Sequence, residues 1–252
     1  ILPLAFALIP LYALEVIIST CTGGALGICS GFMAILSAPL NALTSVPGMF
    51  VLCGFAALLW CFGIHGTMVM MSVILPLSMQ AATANAAAYA AGGYDALVFY
   101  PIALFGGMAI CGGTGNTLPL VIFGLKAKSE QIKAVSKIAL VPGWFGINEP
   151  VTFGMPIMYN PILCIPYVLN IFVVMLCTLI GYKVGFLVPG FVPIMTLMPM
   201  GFANFLATLR WQNAIWDYLM MIPAGLVWYP FFKAYDNQLY KQEQAALAAE
   251  AE

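Results

Sequence analysis

The feature that most constrains this chain is a long stretch without charge. Between Glu15 and Asp95 the sequence contains no Asp, Glu, Lys or Arg, and its single histidine, His65, lies inside that stretch. Over all 252 residues, 63% are hydrophobic and 7% are charged, whereas a soluble domain is about 45–50% apolar and about 25% charged. A surface that faces water cannot be built from this composition. The sequence therefore predicts an integral membrane protein and excludes a cytosolic enzyme and a secreted disulfide scaffold.

Most of the remaining charges fall in two places. Five lie in Lys126–Lys137 and eight lie from Arg210 to the end of the sequence. Basic loops stay on the cytoplasmic side of a membrane, so we predict a cytoplasmic loop and a cytoplasmic tail. The lysines either orient the protein and contact lipid headgroups or form a docking surface for a cytoplasmic partner. The net charge of −1 supplies no positive field that would attract nucleic acid.

Two further patterns bear on cofactors. The seven cysteines show neither a C-x-x-C pair nor a spacing typical of zinc sites, so we predict helix packing rather than redox chemistry. The glycine-rich segment 112–116 fits neither the P-loop nor the dinucleotide fingerprint, which favours close helix packing or an unwound turn that lines a cavity. No cofactor and no metal site is predicted.

Several segments approach the length of about 20 apolar residues that a membrane-spanning helix needs. The predicted spans or half-spans are 1–18, 47–64, 97–124, 161–182, 184–200 and 214–232. The small and polar residues of segment 83–95 predict an interfacial loop.

Two apolar regions are unsuited to simple spanning helices. One surrounds His65, which has Gly63 and Gly66 beside it, and the other is segment 141–166, which carries five prolines. Proline breaks a helix, and irregular backbone at membrane depth is tolerated only where protein or a water-filled cavity surrounds it. We therefore predict an all-α polytopic helical bundle with two re-entrant hairpins that line a substrate cavity.

The second of these regions contains Glu149. A carboxylate at the bilayer centre costs about 2.5–3.5 kcal/mol, so such a residue is either functional or a hydrogen-bonded group that stabilises a broken helix. Asn148 adds an amide that can bind hydroxyl groups. His65 is either a satisfied buried side chain or the partner of Glu149, with which it could bind and deprotonate a sugar hydroxyl. Trp60 offers either a face on which a sugar ring can stack or a membrane-interface anchor.

Several blocks of sequence carry a resemblance to a known family. They are Phe-Gly-Ile-His-Gly at 62–66, Gly-Gly-Thr-Gly-Asn at 112–116, Ile-Asn-Glu-Pro-Val-Thr-Phe-Gly at 147–154, Asn-Pro-Ile at 160–162 and Tyr-Pro-Phe-Phe-Lys at 229–233. From about Gly48 onward the chain resembles the membrane permease (enzyme IIC) of the lactose/cellobiose/diacetylchitobiose family of the bacterial phosphoenolpyruvate-dependent sugar phosphotransferase system.

The resemblance implies a domain organisation. In that family an N-terminal helical bundle forms a homodimer, and a C-terminal domain with two re-entrant hairpins holds the sugar. Residues 1–47 would then be the end of the dimerising part, 48–233 the sugar-binding transport domain and 234–252 a cytoplasmic tail. The family's permeases are longer than this chain, which we therefore expect to be a fragment of a multi-pass protein of the bacterial inner (plasma) membrane.

The resemblance also implies a mechanism. Glu149 and His65 would be the catalytic pair that contacts the sugar, and Asn148, Trp60 and Gly63 would help to bind it. The substrate, which we expect to be a β-linked disaccharide, would be translocated and phosphorylated by a phosphocysteine of a separate enzyme IIB. The chain would thus be the membrane component of a sugar phosphotransferase, with a sugar, phosphorylated IIB and membrane lipid as partners.

Two alternatives stay open. Broken helices with Glu149 and His65 as a proton relay are equally typical of a proton-coupled secondary transporter, and a membrane sensor is a third class.

The sequence also departs from the family, because Ile194 and Met195 stand where its members often carry a tryptophan followed by threonines. Which sugar binds, and whether a second ring is held, is therefore left open.

Overall fold

The computed structural model describes residues 2–21, 44–194 and 196–250. The chain divides into two compact units, Ile1–Ser45 and Val46–Glu252. In the first unit the structure describes helix α1, Leu2–Cys21, which carries Pro10 within it.

The second unit is built from helices of very different lengths. They are α2 (Val46–Cys61), α3 (Gly66–Gly92), α4 (Leu118–Gly124), α5 (Glu130–Trp144), α6 (Glu149–Gly154), α7 (Pro161–Lys183), α8 (Phe202–Thr208), α9 (Trp211–Leu219) and α10 (Met221–Glu250). Short 3-10 helices cover Gly93–Ala96 and Pro101–Met108. Strands are absent from the part of the chain that the structure describes, which confirms the all-α prediction there.

Two of the described helices are long and apolar enough to cross a membrane. One is α3 together with the 3-10 turn that follows it, Gly66–Ala96, and the other is α7, Pro161–Lys183. Helix α2 is apolar but shorter. The helices predicted at 47–64 and 161–182 are confirmed to within three residues at each end.

Three predictions about these segments were wrong or incomplete. Segment 83–95 is not a loop, because helix α3 continues to Gly92 and a 3-10 turn follows. The segment is rich in alanine, the residue with the highest helix propensity. Segment 184–200 contains no helix among its described residues, from which Met195 is missing, since Pro189, Pro193 and Pro199 interrupt it. Segment 97–124 is divided between a 3-10 helix, glycine turns and α4.

Helix α7 lies at the centre of the second unit. It packs against α10, α2 and the 3-10 helix Pro101–Met108, and Tyr167 on α7 and Trp228 on α10 are fully buried. Helices α2 and α3 approach very closely, since a Cβ atom at Gly66 would lie 2.0 Å from the carbonyl oxygen of Ala56. A glycine at that point allows the two backbones to touch.

The segment 112–116 is an unwound turn, as one of the two interpretations of its glycines predicted, and its lining of a cavity stays a prediction. The side chain of Asn116 accepts a hydrogen bond from Cys111 N (2.9 Å) and donates one to the carbonyl of Gly107 (3.1 Å). Trp228 Nε1 donates to the carbonyl of Asn116 (3.0 Å). The turn is therefore fixed from both sides in the interior of the protein.

Candidate functional site

His65 lies on the short non-helical stretch between α2 and α3. Its Nδ1 accepts a hydrogen bond from the backbone N–H of Met68 (3.2 Å), so the imidazole caps the first turn of α3. Because a neutral imidazole has one donor and one acceptor nitrogen, this bond places its proton on Nε2. The sequence Gly-Ile-His-Gly therefore produces a helix cap that uses Nδ1 and leaves the Nε2–H group available for another partner.

Glu149 and Asn148 lie at the corresponding break between α5 and α6. Helix α5 ends at Trp144, and α6 begins at Glu149 with Pro150 in its first turn. The buried Asn148 side chain donates to the carbonyl of Thr114 (2.7 Å). This bond ties the irregular backbone before α6 to the glycine-rich turn 112–116.

The structure brings the two predicted catalytic residues together. His65 Nε2 lies 3.8 Å from Glu149 Oε1, and the side chains are 35% and 46% exposed. The separation is too long for a direct hydrogen bond, so both groups can bind a third atom. A hydrogen-bond donor and a carboxylate thus face the same solvent-accessible space.

Trp60 packs directly against His65. The centroids of the two rings are 4.1 Å apart, with an angle of 49° between the ring planes. The tryptophan is 3% exposed, and its Nε1 donates to Thr67 Oγ1 (3.3 Å). In this structure Trp60 supports the imidazole, and its stacking on a sugar stays a prediction.

Two threonines complete the arrangement and were missed by the sequence analysis. The hydroxyls of Thr67 and Thr114 are 2.9 Å apart, so hydrogen bonds connect Trp60 through both threonines to the segment that Asn148 contacts. The available signal was that Thr67 follows His65 by two residues and that Thr114 lies within the glycine-rich block.

Gly63 contributes to the predicted site through the conformation of its backbone. Its φ angle of +80° is a conformation that favours glycine. Tyr159, also missed by the sequence analysis, holds this stretch, because its N–H donates to the carbonyl of Cys61 (2.9 Å) and its hydroxyl to that of Phe62 (2.7 Å). The break at His65 is therefore fixed to the turn that precedes α7.

Comparison with known proteins identifies the family of this chain. Residues 1–171 match the family model described as "Phosphotransferase system, EIIC". The chain belongs to this EIIC family. It is 35% identical over 213 residues to the lichenan permease IIC component of Bacillus subtilis, an alignment that covers 83% of this chain and 47% of that protein.

Other relatives agree with this assignment. The oligo-beta-mannoside-specific EIIC component of Bacillus subtilis is 34% identical, with 83% of this chain and 49% of that protein covered. The lactose-specific EIICB component of Streptococcus mutans is 30% identical, with 96% and 43% covered. This EIIC chain thus spans about half the length of the curated relatives that it matches.

A solved structure of the same family has a similar fold. The crystal structure of the transporter ChbC, the IIC component from the N,N'-diacetylchitobiose-specific phosphotransferase system, superposes with a TM-score of 0.79 at 29% sequence identity. The superposition covers 92% of this chain and 54% of ChbC. EIIC permeases are integral membrane proteins, in agreement with the composition of this chain.

Two cavities of this EIIC chain are bordered by residues other than His65 and Glu149. One of about 220 Å³ is bordered by polar side chains, among them Asn85, Tyr100, Tyr182 and Asn204. The other, of about 650 Å³, is apolar and is bordered by residues that include Leu58, Phe62, Tyr159, Ile165 and Phe172. Neither cavity is bordered by the predicted catalytic pair, so the predicted substrate cavity between two re-entrant hairpins stays a prediction.

The structure corrects the prediction for one of the carboxylates. Asp217, which the sequence analysis grouped with the charges from Arg210 onward although it lies in the predicted span 214–232, belongs to α9 and is only 4% exposed. Its carboxylate accepts hydrogen bonds from Gly201 N (3.1 Å) and Asn204 Nδ2 (2.7 Å). The carboxylate thereby holds the backbone that enters α8. Asp217 is therefore a buried carboxylate outside the predicted site, whereas the Glu149 side chain is 46% exposed.

Proposed function

We propose that this EIIC chain is the sugar-binding part of a permease that moves a sugar across the membrane while the sugar is phosphorylated by IIB. The observation that carries the proposal is the 3.8 Å separation of His65 Nε2 and Glu149 Oε1 within an EIIC chain. The names of the similar proteins refer to lichenan, an oligo-beta-mannoside, lactose and N,N'-diacetylchitobiose. They support a β-linked disaccharide as the substrate.

The geometry accommodates one sugar hydroxyl between the pair. Because the two atoms are 3.8 Å apart, an oxygen atom can lie within about 2.8 Å of both. It would accept a hydrogen bond from His65 Nε2–H and donate one to Glu149 Oε1. A hydroxyl can do both at once, which a purely apolar ligand cannot.

The same geometry favours different roles for the two residues. Since Nδ1 of His65 is occupied by the N–H of Met68, the neutral imidazole can only donate towards the sugar. Glu149 is therefore the proton acceptor, and His65 orients the hydroxyl. This assignment separates two roles that the sequence left undivided.

The proposed reaction is a phosphoryl transfer. The S–P bond of the phosphocysteine on IIB breaks, and an O–P bond forms to the sugar hydroxyl. The hydroxyl proton passes to the Glu149 carboxylate, and IIB leaves with a thiolate. Such transfers depend mainly on positioning and on stabilisation of charge, which is what this pair of side chains can provide. The charged product cannot return through an apolar pathway.

The remaining assignments belong to the same proposal. Asn148, Trp60 and Gly63 would shape the sugar site, with Trp60 supporting His65 from its buried side. Residues 1–47 would belong to the dimerising part of a homodimer in the bacterial inner membrane, and 48–233 would form the transport domain. The proposed limit between 233 and the tail at 234 falls inside α10, which continues to Glu250.

The deciding experiment determines the chemical state of the transported sugar. Full-length protein in liposomes would be supplied with labelled disaccharide, phosphoenolpyruvate and the general phosphotransferase proteins, with or without IIB. We expect sugar phosphate inside the vesicles only when IIB is present. Uptake of free sugar driven by a proton gradient alone would instead establish a secondary transporter. Binding of the sugar without uptake of either form would establish a sensor.

A further inference from the structure

Helix α10 contacts the start of α5 through a buried carboxylate. Asp236 is buried, and both of its oxygens accept a hydrogen bond from the backbone N–H of Lys128 (2.9 and 3.0 Å). Its Oδ1 also accepts one from Ser129 N (2.9 Å). The two backbone donors that lead into α5 are therefore bound by a side chain from another helix.

A second carboxylate of α10 continues this arrangement. Glu243 is seven residues after Asp236, about two helical turns, so the two side chains share one face of α10. Glu243 accepts hydrogen bonds from the hydroxyl of Ser129 (2.5 Å), from Glu130 N (3.1 Å) and from Gln131 N (3.2 Å). Together the two carboxylates bind the donors that the start of a helix leaves unsatisfied, at the end where negative charge is stabilising.

The contact fixes the position of a basic surface. This surface consists of the lysines on and around the start of α5 and on the facing part of α10, namely Lys126, Lys128, Lys133, Lys137, Lys233 and Lys241. All are exposed except the half-exposed Lys133, which pairs with Glu130. Lys128 Nζ donates to Asn237 Oδ1 (2.9 Å). The acidic groups of α10 that lie beside the surface are occupied by backbone donors.

We propose that Asp236 and Glu243 are positioning residues that hold this basic surface as the docking site for phosphorylated IIB. The inference rests on the proposed function, because that function requires IIB. A negatively charged partner fits the excess of lysines. Contact with lipid headgroups requires positive charge near the membrane but no fixed spacing of the lysines, whereas docking of a folded protein gains affinity when the surface is preorganised. Segment 234–250 is thus a structural support for docking.

The test uses full-length protein in nanodiscs and measures transfer from phosphorylated IIB to the sugar. The variants are Asp236→Asn and Glu243→Gln. Glu130→Gln is the matched control, since it removes one negative charge from the same surface but its side chain accepts from Lys133 Nζ rather than from the backbone donors at the start of α5. We expect the KM for phosphorylated IIB to rise about tenfold in each variant, equivalent to about 1.4 kcal/mol of docking free energy. The kcat and the Kd for the sugar should be unchanged, and the control should behave as the unmodified protein does.

The outcomes separate this inference from the function on which it rests. If the unmodified protein transfers no phosphoryl group, the proposed function fails. If it does, and a Glu243→Gln protein that binds sugar normally has an unchanged KM, only the docking inference fails. If Asp236→Asn is unstable, an unchanged Kd for the sugar shows which preparations of the variant are folded, and only these are compared. A rise in KM that disappears in nanodiscs of phosphatidylcholine alone would assign the lysines to lipid headgroups and overturn the inference.

Replacing the lysines provides an independent readout. For Lys126→Glu and Lys137→Glu we expect the KM for phosphorylated IIB to rise and its dependence on salt concentration to weaken, because fewer charge pairs are screened. A purely structural role of the surface would leave the salt dependence as it is in the unmodified protein. That result would contradict docking at this surface.

Discussion

His65 Nε2 and Glu149 Oε1 are 3.8 Å apart, although the residues come from different breaks in the helical bundle. Each residue stands where a helix begins after irregular backbone, His65 before α3 and Glu149 at the start of α6. Irregular backbone inside a membrane requires protein or water around it, so both breaks favour a polar site. The pair provides a donor and an acceptor that one ligand oxygen can reach.

We expect Glu149→Gln to abolish sugar phosphorylation and to weaken sugar binding. The amide keeps the shape of the side chain but loses the basic carboxylate. Loss of a general base lowers the rate by about 10²- to 10⁴-fold, and loss of a hydrogen bond to a charged group weakens binding by about 10- to 100-fold. The measurements are phosphoryl transfer from phosphorylated IIB and equilibrium binding of labelled sugar.

Glu130→Gln is the control for Glu149→Gln. Glu130 is an exposed carboxylate at the start of α5, far along the chain from either helix break, and its replacement should leave both measurements unchanged. Near-normal binding together with normal turnover in Glu149→Gln would contradict the role of this residue.

His65 has two roles, since its Nε2 lies near Glu149 and its Nδ1 caps helix α3. Two substitutions separate these roles. His65→Ala removes both, whereas His65→Asn retains a side chain that favours the cap position. We expect both to reduce turnover more than sugar binding. Only the alanine variant should also lose about 1 kcal/mol of stability, measured as a lower midpoint of thermal unfolding. If sugar binding suffers more than turnover in both, His65 is a binding residue only.

The sequence was most informative where glycine and proline interrupt apolar segments. Those residues predicted the breaks at His65 and Glu149, and the EIIC resemblance assigned both to one site. The 3.8 Å contact itself depends on how α2, α3 and α5 pack, which periodicity does not show. The prediction of a loop at 83–95 was wrong because it relied on the small and polar residues of the segment and neglected the high helix propensity of its alanines.

Asp217 shows a different limit of the sequence. It lies in the predicted span 214–232, and grouping it with the charges from Arg210 onward gave no sign that it is buried. The structure buries it because Gly201 N and Asn204 Nδ2 both donate to its carboxylate. Such partners are close in space but 13 and 16 residues away along the chain, and no simple period of the sequence predicts them.

We expect Asp217→Ala to destabilise the protein by about 2–3 kcal/mol, because two donors in its surroundings lose their acceptor. Asp217→Asn keeps one acceptor oxygen and a similar volume, so it should cost less. Thermal unfolding in detergent measures both. Equal midpoints for the alanine variant and the unmodified protein would show that the segment before α8 does not depend on this carboxylate.

Gly66→Ala tests the close approach of α2 and α3. The new Cβ would lie 2.0 Å from the carbonyl oxygen of Ala56, so the helices must separate at a cost of about 3 kcal/mol. Gly106→Ala is the matched control, since a Cβ there would meet no other part of the described chain within 4 Å, apart from its own neighbours in sequence. We expect only Gly66→Ala to lower the unfolding midpoint and, because His65 is the neighbouring residue, the sugar affinity. Equal effects of the two substitutions would contradict this.

The carboxylate of Glu243 makes the start of α5 sensitive to acid. The hydroxyl of Ser129 lowers the pKa of Glu243 below its usual value of 4.5, with smaller contributions from the N–H groups of Gln131 and Glu130 and from the charge of Lys133. A carboxyl whose pKa is lower in the folded state stabilises the fold above its unfolded pKa and loses this contribution as pH falls through the folded pKa. The contribution should therefore be complete at pH 6 and decrease below about 4.5.

Amide hydrogen exchange at Glu130 and Gln131, corrected for the intrinsic effect of pH, measures this loss. We expect protection of these two amides to decrease on acidification below pH 4.5, the usual pKa of a glutamate, while amides in the middle of α7 stay protected. In Glu243→Gln the protection should be low at every pH, because the amide is a weaker acceptor and does not titrate. An acid-dependent loss of the same size in that variant would show that Glu243 does not control the start of α5.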